Sequence, residues 1–314
     1  MKALGIALAL ALAACGGPER QLRPSELRIE EELMWGERHL RAGEWRLAER
    51  EFLRALAIAE RSDEVASRVD ALLNLAAVYA ATGRGHEARR RLDEALAVAR
   101  GARYVRGEVV ALGALASEDL RGGDAARARA RLEEALAIAR RAGERRLEAR
   151  RLADLGVVSR AAGDDAAAER HYRGALAIQE DVGDDEGRAA TLAHLARLAI
   201  ARGRPQDAAP LLADALALHR AREDVSAIGA DLEALGDAAR ARGEHDAGLA
   251  SYDRALAVWR RLGDAPAAAR VLRAQAAMLR VRGDEAGAKD REARATAAER
   301  EAAKTPSGGP MPPR

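Results

Sequence analysis

Leu72-Leu73-Asn74-Leu75-Ala76-Ala77-Val78-Tyr79-Ala80-Ala81-Thr82-Gly83-Arg84-Gly85-His86-Glu87-Ala88 contains the plan of the whole chain in one stretch. Leu72, Leu75, Ala76 and Tyr79 recur at steps of three and four, the spacing that places apolar side chains on one face of a helix. Thr82-Gly83-Arg84-Gly85 interrupts that face, and Gly83 suits the left-handed conformation that ends a helix. Ala88, Leu92, Ala95 and Leu96 then resume the helical spacing. The stretch predicts two one-sided helices joined by a tight turn, a helical hairpin.

The hairpin repeats. Gly83 belongs to the series Gly43, Gly83, Gly123, Gly163, Gly203, Gly243 and Gly283, in which each glycine follows the last by 40 residues (83 − 43 = 40). A fixed period of this size marks an array of stacked supersecondary units. Seven positions before each glycine stands Gly36, Ala76, Ala116, Gly156, Ala196, Gly236 or Ala276, so two backbones can approach closely there. The facing helix is small as well, with Ala48, Ala88, Ala128, Ala168, Ala208, Gly248 and Ala288, and with Ala55, Ala95, Ala135, Ala175, Ala215, Ala255 and Ala295. Larger residues fill the gaps: Trp35, Leu75, Leu115, Leu155, Leu195 and Leu235 on the first helix, and Phe52, Leu92, Leu132, Tyr172, Leu212 and Tyr252 on the second.

This pattern of a large-small pair, a turn glycine, and alanines with a leucine or aromatic on the second helix resembles the tetratricopeptide repeat. The unit is six residues longer than the usual 34 of that family and lacks its terminal proline; hairpins instead part at Ala142-Gly143-Glu144, Val182-Gly183-Asp184 and Leu262-Gly263-Asp264. It is similar to the long-repeat subclass of kinesin light chains and of bacterial regulators and scaffolds. The resemblance implies an all-α, right-handed superhelical solenoid of about seven hairpins over residues 26–303. Gln275 and Glu292 replace apolar residues in the seventh unit, as expected of a polar terminal cap.

The remainder of the chain reads differently. Met1-Lys2 precedes an apolar run from Ala3 to Ala14, which as a helix spans roughly 18 Å against a bilayer core of roughly 30 Å. Residues 1–14 therefore read as a signal peptide rather than a membrane span. Leu12-Ala13-Ala14-Cys15 resembles the lipobox of bacterial lipoproteins, and Cys15 is the only cysteine in the chain. That resemblance implies cleavage before Cys15, acylation of its thiol and a lipid-anchored protein in the cell envelope. Gly16 rather than aspartate follows it, which points to the outer membrane, facing the periplasm. Residues 15–25 carry the expected lipid and a flexible tether, with Ser25 as a candidate helix cap. The Pro- and Gly-rich residues 304–314 are expected to be disordered.

Composition agrees with thin, closely packed helix layers: hydrophobic residues make up 48% and aromatics only 3%. A net charge of +2 from 52 basic and 50 acidic residues argues against a general nucleic-acid binder. Nothing in the motifs implies a catalytic site, a cofactor or a metal. Gly83-Arg84-Gly85-His86-Glu87-Ala88 matches a dinucleotide-binding glycine pattern, but no strand precedes it. Asp181, Asp184, Asp185 and Glu186 lack calcium-loop spacing and fall where carboxylates cap the next helix. His39, His86, His171, His194, His219 and His245 occupy different phases of the repeat and read as surface or groove residues.

First helices line the concave face of a tetratricopeptide solenoid, where extended peptides or partner helices bind. Transferred to this numbering, the early groove is acidic and apolar, with Glu30, Leu33, Met34, Glu37, Asp70 and Leu73. Asn74 alone matches the lysine-asparagine clamp with which some members of the family hold C-terminal carboxylates. The late groove leans basic through Arg150, Arg160, His194, Arg197, Arg240, Arg270 and Arg273, which suits an acidic protein segment or extended peptide. Two functions follow from this reading: an envelope scaffold that recruits another protein, or a periplasmic sensor that takes a peptide or small ligand in the groove and changes superhelical pitch.

Overall fold

A computed structural model describes residues 23–304; the expected signal peptide, Cys15 and residues 305–314 lie outside them, while Lys304, the first residue of the expected disordered tail 304–314, ends the last helix. The described chain consists of seven helical hairpins, and no strand occurs among the described residues. The first hairpin pairs α1 (Pro24–Arg41) with α2 (Trp45–Ser62), and the second pairs α3 (Val65–Ala81) with α4 (Gly85–Gly101). They are followed by α5 (Val105–Arg121) with α6 (Ala125–Ala142), α7 (Arg145–Ala161) with α8 (Asp165–Asp181), and α9 (Asp185–Ala201) with α10 (Pro205–Ala221). The last two are α11 (Val225–Ala241) with α12 (His245–Leu262), and α13 (Ala265–Val281) with α14 (Glu285–Lys304).

Each hairpin turn uses its glycine in the left-handed region, as at Gly83 with φ +76°. The backbone N–H of Arg84 returns to the carbonyl of Tyr79 at 2.8 Å, closing the helix end. A second series of left-handed joints separates the hairpins: Asp63, Arg103, Gly143, Gly183, Glu223 and Gly263, again 40 residues apart. Three of these six joints are not glycine. Inter-hairpin caps are carboxylates where the sequence placed them; Asp184 accepts from the backbone N–H of Gly187 at 3.1 Å. The first helix departs from expectation. Arg23, not Ser25, is its cap residue, because Pro24 with its fixed φ takes the first helical position and Glu26 accepts from the Arg23 N–H at 2.6 Å.

Packing follows the small-residue registers. Ala55, Ala95, Ala135, Ala175, Ala215, Ala255 and Ala295 are fully buried, as are Ala48, Ala88, Ala128, Ala168, Ala208 and Ala288. Where the second helix carries an aromatic at its large position, the facing small residue is glycine. A Cβ on Gly36 would lie 2.4 Å from the Phe52 ring, and one on Gly156 or Gly236 would lie 2.5 Å from Tyr172 or Tyr252. Leu92, Leu132 and Leu212 leave room for alanine at 76, 116 and 196.

The core is not uniform along the axis. One continuous apolar cluster joins residues from Ile29 to Ala139, and a second joins Leu216 to Ala295. Between them lie four small clusters, in the stretch where Arg151, Ser159, Gln179, Thr191, His219 and Asp231 are buried. Arg151 crosses from α7 to α5, where its Nη1 donates to the Val109 carbonyl at 3.1 Å and occupies the space a Cβ on Gly113 would need. His219 was expected on the surface or in the groove, but the last turn of α10 turns it toward α11, where its Nδ1 meets Asp231 Oδ2 at 2.6 Å.

Both ends of the stack are polar. On α1, Leu27, Arg28, Glu31, Trp35 and Arg38 form the outward stripe; among the described residues no hairpin packs on it, and Trp35 is 39% exposed where Leu75 and Leu115 are buried. The Arg38 guanidinium lies 5.2 Å from the Trp35 ring centroid. At the far end Glu292 pairs with Arg280 at 2.7 Å and Glu299 with Arg273 at 2.6 Å. Gln275 is not part of that polar end: it is buried in α13 and donates from Nε2 to Asp253 at 2.8 Å.

Candidate ligand groove

The inner face can be located from helix contacts. Successive first helices touch directly, α1 with α3, α3 with α5, α5 with α7, α7 with α9 and α9 with α11, whereas second helices of neighbouring hairpins are held further apart. The stack is therefore tighter on the first-helix side, and that side is concave. Polar side chains on first helices that escape the core line this face.

Of the basic residues expected there, those toward the C-terminus are already neutralised. Arg270 holds Glu233 with two hydrogen bonds, 2.6 and 2.9 Å, across the sixth and seventh hairpins. Arg273 does the same to Glu299 with two bonds of 2.6 Å. Arg240 stands 3.7 Å from Asp237, whose Oδ1 also accepts from the Tyr252 hydroxyl at 2.6 Å.

The middle of the groove differs. Among the described residues no carboxylate lies at ion-pair distance from Arg150, Arg160 or Arg197. Arg160 is exposed, and Arg197 is half-buried with one donor, Nη2, on the Ala230 carbonyl at 3.3 Å. His194 stacks on Tyr172 with ring centroids 5.4 Å apart and planes 11° from parallel. Burial, then the nearby Arg197 and Arg160 cations, push the His194 pKa down to about 4, so the ring is neutral at pH 7. Burial also raises the Tyr172 hydroxyl, against which Arg160 acts as a donor and for whose proton no acceptor stands within hydrogen-bond distance. Arg160, His194 and Arg197 are thus brought together around one tyrosine, while Asn74 lies half-buried on α3, two hairpins away. Tyr172 was legible in the sequence only as a core residue.

No group of three or more His, Cys, Asp or Glu suited to a metal stands together among the described residues. No described helix is long and apolar enough to cross a membrane.

A stack of 40-residue helical hairpins with an inner face of first helices defines an all-α repeat solenoid. Residues 67–141 and 148–221 match the sequence model of the tetratricopeptide repeat, so these two stretches carry tetratricopeptide repeats. Among solved structures it is similar to the Rap conjugation gene regulator of the plasmid pLS20 in complex with the Phr* peptide (TM-score 0.69, 14% identity, covering 94% of this chain and 81% of that one). It also resembles a Rap protein complexed with competence and sporulation factor (TM-score 0.67, 17% identity, 91% and 78% covered). Aspartyl phosphate phosphatase F from Bacillus subtilis is a third neighbour (TM-score 0.68, 12% identity, 98% and 82% covered). At these identities the likeness is one of fold. No curated protein sequence matches the chain.

Proposed function

We propose that this tetratricopeptide solenoid is a lipid-anchored scaffold of the bacterial cell envelope, which recruits a protein or extended acidic peptide on its first-helix face. The observation that carries the binding role is the contrast within that face: among the described residues Arg150, Arg160 and Arg197 have no carboxylate at ion-pair distance, while Arg240, Arg270 and Arg273 do. Arginines without a counter-ion favour an anionic guest, which they can hold in a two-pronged geometry. Two neighbours of the same fold are complexed with a peptide or with a sporulation factor, in keeping with this use of the surface.

The anchor rests on the sequence Leu12-Ala13-Ala14-Cys15. Changing Cys15→Ala is expected to move the chain from the membrane fraction to the soluble fraction; retention on the membrane overturns the anchor. The groove is tested by crosslinked capture from native envelopes, comparing the wild type with an equally folded Arg150→Glu, Arg197→Glu variant. One protein held by the first and lost from the second supports recruitment, and equal capture by both overturns the groove as its surface.

A sensor is the second reading, and the buried polar joints in the middle of the stack favour it. Joints held by Arg151 and by His219–Asp231 can be re-paired without exposing a large apolar core. A sensor compacts measurably in small-angle scattering when its ligand is added, whereas a scaffold keeps its shape.

A further inference from the structure

The fixed period allows one hairpin to be compared with another at the same register. Gly236, Arg240 and Tyr252 of the sixth hairpin correspond to Gly156, Arg160 and Tyr172 of the fourth, each 80 residues earlier (252 − 172 = 80). Both tyrosines are fully buried, and both rings lie against the glycine. One member differs: Asp237 corresponds to Val157.

In the sixth hairpin the Asp237 carboxylate satisfies the set, accepting from Tyr252 at 2.6 Å and standing 3.7 Å from Arg240. In the fourth hairpin the carboxylate is missing. The Tyr172 hydroxyl is buried beside the Arg160 donor with no acceptor for its own proton, and among the described residues no carboxylate pairs with Arg160. Where the carboxylate is lost, more polar groups appear: the next hairpin supplies His194 and Arg197, at positions held by Ala274 and Ala277 beside the sixth. Asp154, the carboxylate whose charge acts on Tyr172, is engaged by Arg151 Nη2 at 2.9 Å. A buried hydroxyl whose proton has no acceptor is destabilising, and an arriving acceptor removes that cost.

We propose that the fourth hairpin is an open seat for a carboxylate, in which an acidic group of a bound extended peptide takes the place that Asp237 fills in the sixth. The guest accepts from the Tyr172 hydroxyl and pairs with Arg160, Arg197 adds a second cation, and the His194 ring forms the wall. The proposal rests on the first-helix face being the binding surface and specifies its anchoring point.

The test needs no knowledge of the natural partner. The full chain is titrated with sodium acetate at constant ionic strength, and arginine Nε–Hε resonances are followed. Arg160 and Arg197 are expected to shift saturably while Arg240 and Arg270 stay in place. Val157→Asp, which installs the internal carboxylate, is expected to abolish the response, and Arg160→Gln to weaken it at least tenfold. Absence of a saturable shift in the wild type overturns the seat, as does an unchanged response in both variants; Arg160→Gln, on an exposed position, decides alone if Val157→Asp does not fold.

Two decapeptides separate the sources of the carboxylate. One carries a central glutamate and an amidated C-terminus, the other no acidic residue and a free C-terminus; the one that binds at least tenfold tighter identifies a side-chain or a terminal carboxylate. An envelope partner captured equally by wild type and Arg160→Gln overturns the seat while leaving recruitment intact. Capture of no partner by the wild type, alongside a saturable acetate response, sinks recruitment and leaves the seat.

Discussion

The first three hairpins and the middle of the stack are built on the same 40-residue template and are held together differently. At the joint position occupied by Ala71 in the second hairpin and Ala111 in the third, the next three hairpins have Arg151, Thr191 and Asp231. In the first region one apolar cluster runs unbroken from Ile29 to Ala139. In the middle the clusters are small and the joints depend on directed contacts, Arg151 on Val109 and Asp231 on His219. Hydrocarbon contacts are non-directional and tolerate small shifts, whereas a buried charge holds only while its partners stay in place. The template therefore sets the geometry of the stack and leaves the strength of each joint to one side chain.

The largest expected effect that can break this contrast is Gly113→Ala. Its Cβ would fall 1.4 Å from Arg151 Nη1 and eject a buried guanidinium. We expect a loss of about 3–5 kcal/mol in urea unfolding, the size seen when a buried charge loses its partners. Adding Arg151→Ala, the residue of the two preceding joints, should recover most of that loss. Additive losses in the double variant contradict the assigned role of Arg151.

Next comes the fit of glycine to aromatic. Gly156→Ala is expected to cost about 1–3 kcal/mol by overpacking against Tyr172, and Tyr172→Leu, which recreates the Ala76–Leu92 arrangement, to offset much of it. Gly36→Ala with Phe52→Leu should behave alike in the first region, so unequal rescue would show that joint strength feeds back on hairpin packing.

Acid should affect the middle first. The His194 pKa is lowered from 6.5 to about 4 in the fold, so the unfolded chain binds the extra proton between those values. The contribution is fully present above pH 6.5 and is lost as pH falls toward 4, by up to about 3 kcal/mol at 1.4 kcal/mol per unit. A His194→Gln variant compared with wild type at pH 7 and pH 4.5 isolates it; equal acid sensitivity of the two sinks the assignment.

The smallest effects fall on the left-handed joints. Arg103 in the first region and Glu223 in the middle adopt φ +57° and +56°, where a side chain costs about 1 kcal/mol. Glycine at either should raise stability by about 0.5–1 kcal/mol, after its greater entropy loss is counted. A gain at Arg103 alone would indicate that Glu223 is held by contacts of the weaker joint.

Much of the fold was legible because its determinants are local and repeated. The turn glycines, the buried alanines and the large positions all stand at fixed offsets from Gly43 to Gly283. The glycine-to-aromatic correspondence was also present in the sequence, at 36 and 52, 156 and 172, 236 and 252, although the pattern of small residues alone did not disclose it. What could not be read was pairing between side chains of different helices. Arg151 looks like surface charge until Gly113, in another helix, is seen to admit it. Arg270 and Arg273 look free until Glu233 and Glu299, 37 and 26 residues away, are found against them. His219 and Asp231 lie in different helices, and no helical spacing joins them.

The two terminal faces set a limit on growth. An array whose every joint repeats the last is, in principle, a monomer for an open-ended filament, because the face that receives one hairpin could receive a whole second molecule. Here the leading face presents Arg28, Glu31 and an arginine laid over Trp35, and the trailing face presents the ion pairs of Arg273 and Arg280. Joining such ends would strip water from these charges, a cost that the apolar joints inside the stack do not carry.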